Sequence, residues 1–316
     1  MNLRTHIPFS KETDGLIDYN SKTILLGSCF SENIGKKFNY LKFQSNQNPF
    51  GILFHPKAIE TIITNAVNQK KYTEKDIFFL NERWHSFEAH SELSSTSKEE
   101  FIQKLNKASK STNRSLKEST HMIITLGTSW VYRFIESGLI VANCHKVPQY
   151  KFEKKLLSVD NIYKSLELII SLVKEINPTI NFIFTVSPVR HIKDGFVENQ
   201  QSKSHLITAI HQVIKSHENS FYFPSYEIMI DELRDYRFYS EDMIHPNNIA
   251  INYIWEKFSE NWFSNEALEL KEEIVKIQRN LEHKPFNSKS KEYREFIAST
   301  EERIKKIQKK YPEIIF

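Results

Sequence analysis

Short apolar runs alternate along this chain with longer stretches in which apolar and polar residues mix. Thr23-Ile24-Leu25-Leu26 ends at Gly27, and comparable runs recur at His121-Met122-Ile123-Ile124-Thr125-Leu126, at Asn181-Phe182-Ile183-Phe184-Thr185-Val186 and, more weakly, at Ser220-Phe221-Tyr222-Phe223. Each is short, continuous and bounded by polar residues, the pattern of a strand with both faces buried. Between them, residues 30–38, 56–69, 98–110, 159–176 and 200–217 carry apolar side chains at helical spacing. Alternating strands and helices, with strands too apolar to leave one face wet, predict an α/β fold with a mostly parallel sheet covered on both sides. Residues 265–283 and 288–311 are rich in Glu, Lys and Arg with Leu and Ile at helical spacing, and Pro285-Phe286-Asn287 breaks them. They predict a helical appendage, giving an α/β domain over residues 1–264 and a C-terminal hairpin over 265–316 that caps it or mediates association. There is no internal repeat or low-complexity tract.

Composition narrows the class. A chain of 316 residues can form one large α/β domain or two small ones. With 40% hydrophobic and 13% aromatic residues it lies far from disordered chains. Its charge of +4, from 43 basic and 39 acidic residues, is too small an excess to predict a nucleic-acid partner. The two cysteines, Cys29 and Cys144, do not make a secreted disulfide framework and fit a reducing compartment. No apolar leader opens the sequence and no run approaches the ~20 apolar residues of a membrane span, so the expectation is a cytoplasmic protein without a membrane partner.

In parallel sheets ligands bind outside the carboxyl ends of the strands, and the candidate chemistry collects there. Gly27-Ser28-Cys29-Phe30 joins the first strand to the first helix, where unpaired N–H groups and a partial positive charge can stabilise an alkoxide, a thiolate or an oxyanion. The same residues read structurally as an N-cap serine and a small buried cysteine. In Asp242-Met243-Ile244-His245-Pro246 a carboxylate three residues before a histidine can orient the imidazole as a general base. Asn48-Pro49-Phe50-Gly51 and Gly127-Thr128-Ser129-Trp130 follow two strands; Gly51, Gly127, Thr128 and Ser129 are candidate oxyanion donors, the glycines reading equally as turn residues. Asn48, His145 of Asn143-Cys144-His145-Lys146, and Arg190 and His191 of Ser187-Pro188-Val189-Arg190-His191 are candidate substrate contacts, Arg190 for a carboxylate or phosphate. Trp84, Ser86, His90 and Ser91 form a further aromatic and polar loop. Nothing has the ligand spacing of a zinc motif, so neither metal nor cofactor is expected.

These segments, taken in order, resemble the GSCFA family, grouped with the SGNH hydrolases. The resemblance runs through Leu26-Gly27-Ser28-Cys29-Phe30, Asn48-Pro49-Phe50-Gly51, Thr125-Leu126-Gly127-Thr128, Asn143-Cys144-His145-Lys146 and Ser187-Pro188-Val189-Arg190-His191, then residues 231–239, to Asp242 and His245. It implies a three-layer α/β/α sandwich of flavodoxin-like type and an acyl esterase or acyltransferase acting on a small-molecule or glycan ester. In register, Gly51 matches the glycine of the second SGNH block, and Asp242 with His245 match the final Asp-x-x-His. Two departures stand out. Gly27-Ser28-Cys29 replaces Gly-Asp-Ser, so register puts Cys29 at the nucleophile while Ser28 remains an alternative, and Gly127-Thr128-Ser129 stands where an asparagine is usual. A non-catalytic module that keeps the fold to bind a ligand is the competing reading.

Overall fold

The computed structural model describes residues 5–9, 11–288 and 290–316. Its centre is a sheet of five parallel strands, β1 (Lys22–Gly27), β2 (Gln44–Gln47), β5 (His121–Leu126), β9 (Asn181–Val186) and β10 (Ser220–Phe223), in the order β10-β9-β5-β1-β2. The pleat explains the unbroken apolar runs. Ile24 and Leu26 of β1, Met122, Ile124 and Leu126 of β5, and Phe182, Phe184 and Val186 of β9 pack into one core, while the intervening Leu25, Ile123 and Ile183 pack into a second on the opposite face.

The first core is closed by α2 (Pro56–Val67), α3 (Lys98–Glu118), α4 (Val159–Ile176) and α5 (Phe196–Ile214), through residues such as Ile59, Leu105, Ile169 and Leu206. The second is closed by α1 (Cys29–Tyr40) and α7 (Asn248–Trp262), through Phe38, Trp255, Phe258 and Trp262. The C-terminal helices α8 (Asn265–Glu282) and α9 (Lys291–Lys310) join this second core with Ala267, Ile274, Ile277 and Ile307, and bury Ile17 and Tyr19 of the N-terminal segment alongside them. Sequence chemistry sets several starts: Ser97, Ser158, Ser264 and Ser290 each accept a backbone N–H of the first helical turn, and Asn247 accepts from Ile249 and Ala250. No helix among the described residues is long and apolar enough to cross a membrane.

Three features differ from the sequence expectation. Helix α3 runs on to Glu118 because Thr112 and Leu116 are buried beyond its most apolar part. Helix α5 begins at Phe196, after Gly195, whose φ of 115° breaks the preceding turn. Two antiparallel pieces were not anticipated: a hairpin of β3 (Phe78–Leu80) and β4 (Arg83–His85), and a three-stranded sheet of β6 (Trp130–Phe134), β7 (Ile140–Val141) and β8 (Phe152–Leu156). Their strands hold two to five residues, too few for alternation to register. Tertiary contacts hold them instead, in an aromatic seam through Phe78, Phe87, Phe134 and Phe152.

Candidate active site

Counted in chain order, the five parallel strands run 2-1-3-4-5, so the order reverses between β1 and β5. That reversal opens a crevice outside their carboxyl ends, the place where such sheets bind ligands. The turn at Gly27 occupies it. Gly27 has φ 137°, and a Cβ there would sit 2.1 Å from the Thr125 carbonyl oxygen, so a side chain is sterically barred. The Ser28 N–H donates to that carbonyl at 3.0 Å, and the Gly27 N–H donates to Asn48 Oδ1 at 2.9 Å. Asn48 takes a left-handed φ of 40° and donates its own N–H to Leu25 O, so β1, β2 and β5 all converge on this turn. Asn48 Nδ2 is buried without a partner.

Helix α1 begins at Cys29. Ser28 is its N-cap, but the hydroxyl makes no cap bond and is sealed from solvent without a partner. Cys29 is partly exposed. The expected stabilisation of a thiolate by the helix N-terminus does not prevail. Burial, with Glu32 nearby, pushes the thiol up, and the N–H groups of Cys29 and Phe30 together with the Lys203 charge offset this only in part.

Asp242 and His245 form a unit at the same edge of the sheet. His245 Nδ1 lies 2.6 Å from Asp242 Oδ2, while Asp242 Oδ1 accepts the N–H of Ile244 at 2.9 Å and of His245 at 3.0 Å. Met243, at φ 57°, makes the turn that allows this. The bonds from the His245 and Ile244 amides and the imidazole hold the Asp242 carboxyl down at about 2. With Nδ1 engaged, Nε2 is the imidazole nitrogen left for proton transfer. The loop is docked on the segment after β9: the Arg190 N–H donates to Ile244 O at 3.1 Å and its guanidinium to Met243 O at 3.2 Å, with Phe196 and Tyr239 rings beside it. Strands lie ~4.8 Å apart, so the end of β9 is roughly 10 Å from that of β1.

The expected oxyanion donors are corrected. The Gly51 N–H donates to Asn48 O at 2.7 Å within its turn, and both Gly127 and Thr128 give their N–H groups to Phe54 O, at 2.7 and 3.0 Å. Ser129 gives its N–H to Ser202 Oγ and its hydroxyl to Ser202 O, while Thr128 Oγ1 also meets Ser202 Oγ. All four positions spend their donors on the scaffold. At the β1 turn, by contrast, α1 begins at Cys29 and Asn48 Nδ2 has no partner.

The expected substrate contacts divide. His145 is buried, with Nε2 2.7 Å from Ser86 O and Nδ1 3.1 Å from Ser91 Oγ. Burial holds its pKa down near 4, and it ties the loop of Ser86 and Ser91 to the loop after β7. That is a structural role and corrects the expectation. Arg190 lines a cavity of about 430 Å³ with Phe196, Gln200, Tyr226, Tyr236 and Tyr239. His191 packs over Gly127, edge-on to Phe54, with Nε2 buried and unpartnered. Burial, then the charges of Lys203 and His245, drives it down to about 3, so it is a neutral ring. Asn48 thus lies at the β1 turn, His191 at the end of β5 and Arg190 in the cavity beside the Met243–Ile244 segment, whereas His145 lies among the loops of Ser86 and Ser91.

Sequence reasoning missed Lys203. It is fully buried on α5 and donates to Gly127 O at 2.8 Å and Ser187 O at 2.7 Å, joining the ends of β5 and β9. A signal existed: Lys203, Leu206, Ile210 and Val213 share one helical stripe, and a lysine on an apolar stripe is anomalous. Among the described residues no group of three or more His, Cys, Asp or Glu side chains could hold a metal ion.

None of the curated proteins matches the chain. Two family models do. That of the GSCFA family matches residues 22–258, which takes in the whole sheet, the crevice and the Asp242–His245 loop, and that of the GSCFA domain protein C-terminal domain matches residues 274–316, the second half of α8 and all of α9. The chain therefore belongs to the GSCFA family.

Proposed function

We propose that the chain is an acyl esterase or acyltransferase of the SGNH type, acting through a covalent intermediate on a small-molecule or glycan ester. The reading is carried by one observation: an oriented Asp242–His245 pair is docked on the edge of the sheet where the β1 turn presents Cys29 at a helix N-terminus. The doubly wound strand order supports the SGNH type, since 2-1-3-4-5 is the flavodoxin-like order. Cys29 is favoured over Ser28 as nucleophile because it is partly exposed whereas the Ser28 hydroxyl is sealed.

His245 Nε2 takes the thiol proton as Cys29 Sγ attacks the ester carbonyl, and Asp242 stabilises the imidazolium that forms. The oxyanion is held by the Cys29 N–H and by Asn48 Nδ2, whose lack of a partner suits a donor awaiting an acceptor. His245 then gives its proton to the leaving alcohol. In the second half, water or an acceptor hydroxyl loses a proton to His245 as its oxygen attacks the thioester, which frees the thiol. Because burial raises the Cys29 pKa, the thiolate is made on demand by the base. The cavity beside Arg190, Tyr226 and Tyr239 is suited to the remainder of the substrate, its aromatic faces to a sugar ring.

The test is turnover of short-chain aryl esters and thioesters by the native protein and by Cys29→Ala, Ser28→Ala and His245→Ala. Loss in the first and third with retention in the second is expected, and full turnover in His245→Ala would refute the proposed base. The commitment of Gly51, Gly127, Thr128 and Ser129 to the scaffold favours a second reading, a ligand-binding module without catalysis. It predicts thermal stabilisation by ligands with no covalent adduct from ester or fluorophosphonate probes.

A further inference from the structure

Residues Ile228–Glu232 wind as a π-helical turn, a rare geometry that collects at functional sites. Met229 and Ile230 of this turn wall the cavity of about 430 Å³ that Arg190 also lines, a volume in the range of small-molecule sites. The hydrogen-bonding side chains of the cavity are one-sided. Their acceptors are taken up inside the protein: Asn199 Oδ1 accepts the His191 N–H at 2.9 Å, Gln200 Oε1 accepts the Tyr226 hydroxyl, and the two Asp235 oxygens accept from Arg237 at 2.9 and 3.0 Å. Their donors stay open. Asn199 is only 5% exposed, yet its Nδ2 has no partner among the described residues, and neither has the Arg234 guanidinium. Arg190 gives one N–H to Met243 O at 3.2 Å, and the Phe196 and Tyr239 ring centroids, 5.5 and 5.4 Å from its guanidinium carbon, steady the fork. Acids nearby do not neutralise the pair. Glu227 accepts twice from the Tyr222 hydroxyl, at 2.7 and 2.9 Å, and Glu232, wholly buried, accepts the Ile7 N–H at 2.6 Å and the Tyr253 hydroxyl.

We propose that this cavity binds an acidic sugar, a pyranose whose carboxylate or phosphate is gripped by Arg190 and Arg234 while its ring lies against the tyrosine wall of Tyr226, Tyr236 and Tyr239. Calling that sugar a part of the substrate rests on the esterase reading, which it narrows from any small-molecule or glycan ester to an anionic one. Three features point to an anion. Two guanidinium groups share the cavity with one carboxylate, which Arg237 already pairs, so a net positive charge is left over. An anion supplies acceptors alone, which matches donors that lack them, whereas a neutral sugar brings hydroxyl donors that the occupied oxygens of Asn199, Gln200 and Asp235 do not welcome. The planar fork of arginine fits the paired oxygens of a carboxylate or phosphate. Arg190 also joins the cavity to Met243, which lies between Asp242 and His245, so an anion held there is anchored beside the loop that carries the proposed base, and its binding energy can position the ester.

The experiment is calorimetric titration of the full chain with methyl glucuronoside, glucose 6-phosphate, methyl glucoside and inorganic phosphate, repeated with Arg234→Met and Arg190→Lys. At least one charged sugar is expected to bind about tenfold or more tighter than methyl glucoside, and the tighter of the two identifies the anion as carboxylate or phosphate. Arg234→Met should weaken that sugar by about tenfold and leave methyl glucoside unchanged. Arg190→Lys, which keeps the charge and loses the fork, should weaken it as well. Equal affinity for charged and neutral sugars, or no saturable binding of either charged sugar at millimolar concentration, would overturn the proposal. So would charged-sugar binding that survives both substitutions, and inorganic phosphate binding as tightly as glucose 6-phosphate would overturn the sugar. Arg234 is exposed and touches none of the described residues, so its variant should fold, and the comparison of ligands in the native protein decides the matter even if Arg190→Lys does not. None of these readouts needs turnover. Charge-selective binding in a protein without esterase activity refutes the proposed function alone, and an active esterase indifferent to the charge of its sugar refutes this inference alone.

Discussion

Replacing Gly27 with alanine tests whether the crevice is built as described. Gly27 adopts φ 137°, and an added Cβ would stand 2.1 Å from the Thr125 oxygen, 2.8 Å from its carbonyl carbon and 2.9 Å from its nitrogen. All are backbone atoms of β5 and cannot swing aside, so β1 and β5 must part at their ends. A side chain in that region of φ costs about 1–3 kcal/mol. Overpacking against the neighbouring strand costs about 1–3 kcal/mol more, and weakening the Ser28–Thr125 hydrogen bond about 1 kcal/mol. The expected loss is therefore about 5 kcal/mol. At the ~2–4 °C per kcal/mol typical of larger domains, Tm should fall by roughly 10–20 °C. Urea titration and thermal melts read the loss, with Gly138→Ala as control: Gly138 also has positive φ, 71°, but a Cβ there meets nothing within 4 Å, so only about 1 kcal/mol is expected. If Gly27→Ala proved no worse than Gly138→Ala, the tight apposition of β1 on β5 would be wrong, and with it the placement of Cys29.

Acid sensitivity is a second expectation. Burial holds His55 near 4, His145 near 4 and His191 near 3. Between their unfolded pKa near ~6.5 and these values the unfolded chain binds more protons, so stability should fall as pH drops through that window. The loss is up to about 3 kcal/mol for each histidine by pH ~4. Melts that stay flat between neutral pH and pH ~4.5 would refute it. For Asp242→Asn, the exposed position makes any stability change small, whereas loss of the imidazole orienter should cut turnover by about 10²–10⁴-fold, as single-turnover kinetics would report. Truncation after Phe263 removes Ala267, Ile274, Ile277 and Ile307 from the second core; the shortened chain should bind a hydrophobic dye or aggregate, and a monomeric product with native near-ultraviolet circular dichroism would argue against that packing.

What the residues determined by themselves was the alternation of elements. Strands β5, β9 and β10 and helix α4 begin and end where their apolar runs and the Ser158 cap say they should, because burial on both faces and local capping are written into adjacent residues. The Asp242–His245 pair was equally legible, since a three-residue spacing brings the two side chains together once Met243 makes its turn. Tertiary structure decided what depends on distant partners. Whether the N–H groups of Gly51, Gly127 and Thr128 were free depended on Asn48 O and Phe54 O, and which of Ser28 and Cys29 met solvent depended on how the turn packs against Thr125. The short antiparallel strands likewise follow from the aromatic seam through Phe87 and Phe134. Lys203 shows the division best: its position on an apolar stripe was visible along the chain, but only the meeting of β5 and β9 supplied the carbonyls that make a buried ammonium tolerable there.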